Sequence, residues 1–193
     1  MTKQLAVGVL PVSAEQLAAG LDIPRARADW WDDYLNEAMR AWGITERLDV
    51  AAFLANVGHE SGGLRHTREI WGPTRAQRRY EGRRDLGNIY PGDGKRFMAH
   101  GPIGITGRAN HREATKWVRE VVPDAPDFEA QPELLELPRW GSLAAGGFWV
   151  KNRINALAKA GKFTRACIRV NGGINGLADR RRHYARLLKV LPR

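Results

Sequence analysis

The chain has 193 residues, 43% hydrophobic and 27% charged, and its 31 Lys+Arg against 21 Asp+Glu give a formal net charge of +10. That length holds one domain with a sizeable core, or two small lobes facing across a cleft. With a mean hydropathy of -0.45 and no apolar run long enough to span a bilayer, the composition excludes the disordered and membrane-spanning classes. The charge favours a polyanionic partner, and nucleic acid, an anionic membrane face and an acidic cell-wall polymer fit it equally.

The N-terminus, "MTKQLAVGVLPVSAEQ", loosely resembles a secretion signal. However, Pro11 interrupts it, Lys3 is its single leading base, and Ser13 suits the N-cap of "AEQLAAGL". Residues 1–12 are therefore expected to be an N-terminal tail, and 13–193 a single domain. Pro24 opens the next helix, "RARADWWDDYLNEAMRAW", with Ala26, Trp30, Tyr34 and Ala38 at i, i+4 spacing and Gly43 to stop it. Thr45 is placed to cap a helix that runs through Leu48, Ala51, Ala52 and Val57 into Glu60. A shorter helix is expected over 75–80.

Residues 82–109 are glycine-rich and irregular, with "KRFMAH" and "IGIT" as candidate short strands; loops of this length tend to carry function. Asn110 is placed to cap "HREATKWVREVV". A helical hairpin is expected over 142–160, then "KFTRACIRV", the turn "NGGING" and a basic helix "LADRRRHYARLLKVL". The architecture reads as mainly α with at most a small β-hairpin. The lone cysteine, Cys167, excludes an internal disulfide and reads as core.

The candidate chemistry centres on "FLANVGHESGGL", where an apolar helical run ends in His59-Glu60-Ser61 and two glycines. Glu60 and Glu69 bracket "SGGLRHTR", and two carboxyls across a cleft are what glycosidic hydrolysis needs: one protonates the leaving oxygen while the other activates water. Glu60, at the negative end of a helix dipole and partly buried, suits the acid. Glu69, beside Arg68, suits the base. The competing reading is two solvated surface charges. The histidines, His59, His66, His100, His111 and His183, lack metal-ligand spacing, and "GPIGITGR" lacks the ending of a phosphate loop, so neither metal nor cofactor is expected. Thr106 reads as a hydroxyl able to hold a water or a sugar. Arg180 follows the glycine turn and is placed to reach into a cleft and pair with a carboxylate.

"AAFLANVGHESGGL", "GPIGITGRAN" and "VNGGINGLADRRRHYARLLKVL", in that order, resemble the family 19 glycoside hydrolases, the chitinase-like group. "TREIWGPTRAQRRYEGRRDLGN" looks like the phage and prophage endolysin branch of that family. The resemblance covers about 17–191 and implies a lysozyme-like fold of two mainly helical lobes with a central cleft. It implies Glu60 as general acid, Glu69 as general base and Thr106 as a holder of the attacking water. It also implies Asn171 as a substrate contact and Arg180 as the organiser of the acid. We place Arg180 and Asn171, together with His59 and Ser61 beside the acid, among the substrate-binding residues. The implied mechanism is inverting, with carboxyls roughly 6.5–9.5 Å apart. The chain departs from the family pattern at Gly104, where a sugar-binding Gln is usual, at His100 for an Arg, and at His111 for a Tyr.

These readings lead to a peptidoglycan hydrolase cleaving β-1,4 bonds between amino sugars, an endolysin held in the host cytoplasm until a holin admits it to the periplasmic wall. A monomer is expected, with the basic C-terminal helix touching anionic envelope and nucleic acid not a partner. The alternatives are a chitinase acting on GlcNAc polymers and a catalytically impaired glycan binder on the same fold.

Overall fold

The helix α3, Arg47–Glu60, is apolar on every side, and Asp49 through Gly58 are all buried in a computed structural model that describes residues 12–192. A helix hydrophobic all round belongs in the middle of a fold. It is flanked by α1 (Ala14–Leu21) and α10 (Leu177–Val190), and α8 (Ile154–Lys159) and α9 (Phe163–Asn171) close around it. The helix α2 (Arg25–Ala41) packs on α1 and on α7 (Pro138–Lys151), and α7 also holds α6 (Arg108–Val121). The rings of Phe53 and Trp149 meet edge to face at 5.6 Å, joining α3 to α7. Beneath them, Trp149 Nε1 donates to the buried Asp49 Oδ1 at 2.8 Å.

The sequence located these helices well and some of their ends poorly. Ser13 caps α1 with Gln16 completing a reciprocal capping box. The segment expected as a tail reaches the body at its last residue: buried Val12 exchanges two 2.8 Å hydrogen bonds with the Asn36 amide. The rest of the tail and the signal-like stretch lie outside the described residues. The buried face of α2 is Ala28, Trp31, Leu35, Ala38 and Met39, not the Ala26–Trp30–Tyr34 stripe, and Trp30 is 63% exposed. Glu46 rather than Thr45 precedes the first turn of α3, without a side-chain cap. Asn110 lies inside α6, whose N-cap is Gly107. The hairpin of α7 and α8 turns at Arg153, which takes a left-handed conformation with φ 55°.

Residues 61–107 form an irregular lobe with two four-residue helices, α4 (Arg75–Arg78) and α5 (Asp93–Arg96). "KRFMAH" is therefore helical at its start rather than a strand. What remains of the expected hairpin is a pair of antiparallel bridges, Arg68 to His100 and His100 to Ile105. The lobe is anchored by Asp93, which accepts the amides of Ile89 and Tyr90 at 3.0 Å and both arms of Arg108 at 2.6 and 3.0 Å. The bidentate Arg108 ion pair and these amides hold the Asp93 carboxyl below the usual carboxylate range.

Candidate active site

Glu60 is the last residue of α3, and the turn after it is built by Ser61. Ser61 Oγ donates to Val57 O at 2.7 Å and accepts the Leu64 amide at 2.8 Å, while the Arg65 and His66 amides return to Ser61 O. Ser61, expected to touch substrate, is fully buried and shapes the backbone instead.

The Glu60 carboxyl faces a buried cation. Arg180 sits on the inward stripe of α10 with His183 and Leu187 and is 1% exposed. Its Nη2 donates to Glu60 Oε1, and its Nη1 donates to Asn56 Oδ1 at 2.7 Å. Asn56 stands one helical turn before Glu60, so both acceptors share the face that α10 covers. Arg180 was placed to pair with a carboxylate and also counted among the substrate-binding residues; it pairs with Glu60, and its burial makes it a brace for that side chain. Glu60 Oε2 makes no hydrogen bond among the described residues, so one oxygen is anchored and one is available.

His59, also expected at the substrate, is tied elsewhere. Its Nδ1 lies 2.7 Å from Asp179 Oδ2, and its ring packs under Gly176, where a Cβ would come within 2.1 Å of Nε2. The His59 hydrogen bond lowers the Asp179 carboxyl. Asn171 ends α9 exposed, its amide donating to Asn175 O at 3.3 Å.

Glu69 follows the bridge residue Arg68. Its amide donates to Ala99 O at 2.9 Å, and its Oε2 accepts the Ala99 amide at 3.3 Å. The bridges pair Arg68 and Ile105 with the two edges of His100, which puts Glu69 opposite Ala99, while past Ile105 the pairing slips by one residue, the Gly107 amide donating to Phe97 O at 2.8 Å. Thr106 Oγ1 donates to Gly104 O at 3.0 Å, and its carbonyl accepts the Asn110 amide group at 2.6 Å.

The other Glu69 oxygen is held by a residue that sequence reasoning passed over. Gln77 completes a capping box with Thr74 at α4. Its Oε1 accepts the Gly72 and Thr74 amides at 3.1 and 2.7 Å, while its Nε2 donates to Ile70 O at 2.8 Å and Glu69 Oε1 at 3.0 Å. The T-x-x-Q pattern of "TRAQ" was the available signal. Tyr80 stands nearby: burial first, then the Glu69 charge, push its phenol up.

Glu69 lines a groove of about 600 Å³ shared with Arg65, Arg68, Trp71, Lys95 and Glu136. Glu60 is not among the residues lining it. Glu136, half buried and unnoticed in the sequence, lies 3.6 Å from both Arg68 Nη1 and His100 Nε2. Behind it His100 and His111 form a buried pair, Nδ1 to Nε2 at 3.0 Å, with His111 Nδ1 donating to Gly107 O at 2.8 Å. That donation leaves His111 Nε2 as acceptor and His100 Nδ1 as donor. Burial lowers both rings to about 4. Gly104 is exposed in the left-handed region, φ 72°, with Ala99 Cβ 3.7 Å from where a Cβ would stand.

The whole chain superposes on chitinase C from Streptomyces griseus with a TM-score of 0.67, covering 100% of this chain and 83% of that one at 20% identity. The fold is that of the family 19 chitinases. A bacterial family 19 chitinase gives a TM-score of 0.64 at 20% identity, with 93% of this chain and 94% of that one covered. By sequence, a glycosyl hydrolase family 19 domain-containing protein of Haemophilus influenzae is 27% identical over 175 aligned residues, spanning 76% of this chain and 82% of the relative. No family model matches the chain. The family 19 fold agrees with the mainly helical, lysozyme-like architecture expected from the sequence.

Proposed function

We propose that this protein is a peptidoglycan hydrolase that cleaves β-1,4 bonds between amino sugars by an inverting route. The observation that carries the reading is the unlike treatment of the two glutamates within a family 19 fold. Glu60 has one oxygen tied to Arg180 and, among the described residues, one without a partner, which suits donation of a proton to the leaving oxygen. Glu69 is held open in a groove by Gln77 and the Ala99 amide. A carboxylate has about four acceptor positions, so Glu69 retains lone pairs to take a proton from water. Thr106, next to Ile105 on the far edge of the His100 segment, would hold that water. Attack from the face opposite the leaving group inverts the anomeric carbon.

The net charge of +10 and the cations along the groove favour an acidic wall polymer over neutral chitin. An endolysin role, with release through a holin to the periplasmic wall, is the biological setting that fits this chemistry. The test is mass spectrometry of glycan released from Gram-negative peptidoglycan by the protein and by Glu60→Gln. New reducing-end sugars that disappear in the variant support the reading, and NMR of fresh product should show the α-anomer. Cleavage of chitin oligomers with peptidoglycan left intact would favour the chitinase alternative.

A further inference from the structure

One side chain lies where the depressions on this face meet. Arg65 lines the Glu69 groove, the depression beside Trp30 and Trp31, and the one beside Asp179 and His183. Its backbone is fixed, because its own amide and the next both bond Ser61 O, at 3.0 and 2.9 Å, and buried Leu64 pins the preceding position. Lys95, on α5, belongs to the same groove as Glu69. Arg68 has Glu136 at 3.6 Å, whereas among the described residues neither Arg65 nor Lys95 has a carboxylate within 4.0 Å of its charged nitrogens. Two exposed, unpaired cations of different elements therefore line a groove that also holds a candidate catalytic carboxylate. A neutral sugar polymer offers them only uncharged hydroxyl and acetamide acceptors, while a glycan carrying peptide carboxylates offers an anion on each repeat.

We propose that Arg65 and Lys95 bind carboxylates of the stem peptides and so select peptide-bearing peptidoglycan over neutral glycan. The proposal rests on the peptidoglycan reading above. Guanidinium and ammonium groups here act by charge and hydrogen bonding to carboxylate oxygens, without a covalent step.

The test uses purified Gram-negative sacculi, native or with their carboxyls converted to amides by carbodiimide and ammonia. Rates of new reducing ends and co-sedimentation are measured for the wild type and Arg65→Gln/Lys95→Gln. On native sacculi the double variant should show KM raised about fivefold and weaker sedimentation, as two exposed ion pairs warrant. Amidation should impose the same loss on the wild type, and the two proteins should then converge. Equal losses by the variant on native and amidated sacculi would mean that the cations act on Glu69 or the fold and would overturn the proposal, as would indifference of the wild type to amidation. If native sacculi yield no reducing ends while chitin oligomers are cleaved, the peptidoglycan reading itself fails and takes the proposal with it. Charge-dependent sedimentation without any turnover would sustain the carboxylate contacts and reject the hydrolase.

Discussion

Gln77 Nε2 donates to Glu69 Oε1 at 3.0 Å, so the residue that closes the cap of a four-residue helix also orients the candidate base. Replacing Gln77 with Ala should lower kcat about ten- to a hundredfold, the value of a hydrogen bond to a charged group. KM should move less, because the groove walls stay in place. Gln77→Glu keeps an acceptor for the Thr74 amide but sets a second carboxylate against Glu69, so its kcat should fall further. Steady-state release of reducing ends from cell wall measures both.

Among the described residues Arg180 is the cation paired with Glu60, and Arg180 itself is buried. Arg180→Met removes the partner of both Glu60 and Asn56, and breaking such a pair costs about 3–5 kcal/mol when the remaining charge is buried. The side chain of Glu60 is 26% exposed, so the loss should lie near the lower end. Urea unfolding at pH 7 reads it. An unchanged midpoint would show that Arg180 does not support this end of α3.

The buried histidine pair sets a pH dependence. Both rings stand at about 4 when folded, against about 6.5 in an unfolded chain. Between those values the unfolded chain binds more protons, so stability falls as pH drops from about 6.5 to about 4. The loss from pH 7 to pH 5 should be on the order of 2 kcal/mol for each ring, about 4 kcal/mol for the pair. Asp49, raised by burial to about 6, works in the opposite direction across that interval. His183, lowered by burial, and Asp179, lowered by His59, add to the acid loss. The informative quantity is therefore the wild-type pH dependence minus that of His100→Gln/His111→Gln, measured by urea unfolding. A variant with the same slope as the wild type would remove the pair from the account.

Gly104 holds a positive φ, and a Cβ there would make only an ordinary contact with Ala99 Cβ, at 3.7 Å. Gly104→Gln should cost about 1 kcal/mol of stability for the left-handed backbone while placing an amide on the exposed edge near Thr106. Thermal unfolding should show the cost, and a lower KM for glycan would show that the amide meets sugar.

The sequence by itself determined the helices and their order, because each is written locally in apolar periodicity, glycine stops and caps such as Ser13. It also marked the run into Glu60 as an apolar helix, and it singled out Glu60 and Glu69 by the glycines between them. Cys167 was legible as core for the same local reason: it is 1% exposed, and burial raises its thiol. What only the tertiary structure decided were relations between distant residues. Arg180 lies 120 positions from Glu60, and its direction depends on which stripe of α10 meets α3. Ser61 and His59 looked like substrate contacts by adjacency to Glu60, yet helix termination turned one into a backbone cap and the Gly176 turn covered the other. The pairing that sets Arg68 and Ile105 on either side of His100 rests on two isolated bridges, too short to leave an alternating pattern in the sequence. Local propensity fixes elements within a few residues, whereas a site is a set of distances across the chain, and those follow from packing alone.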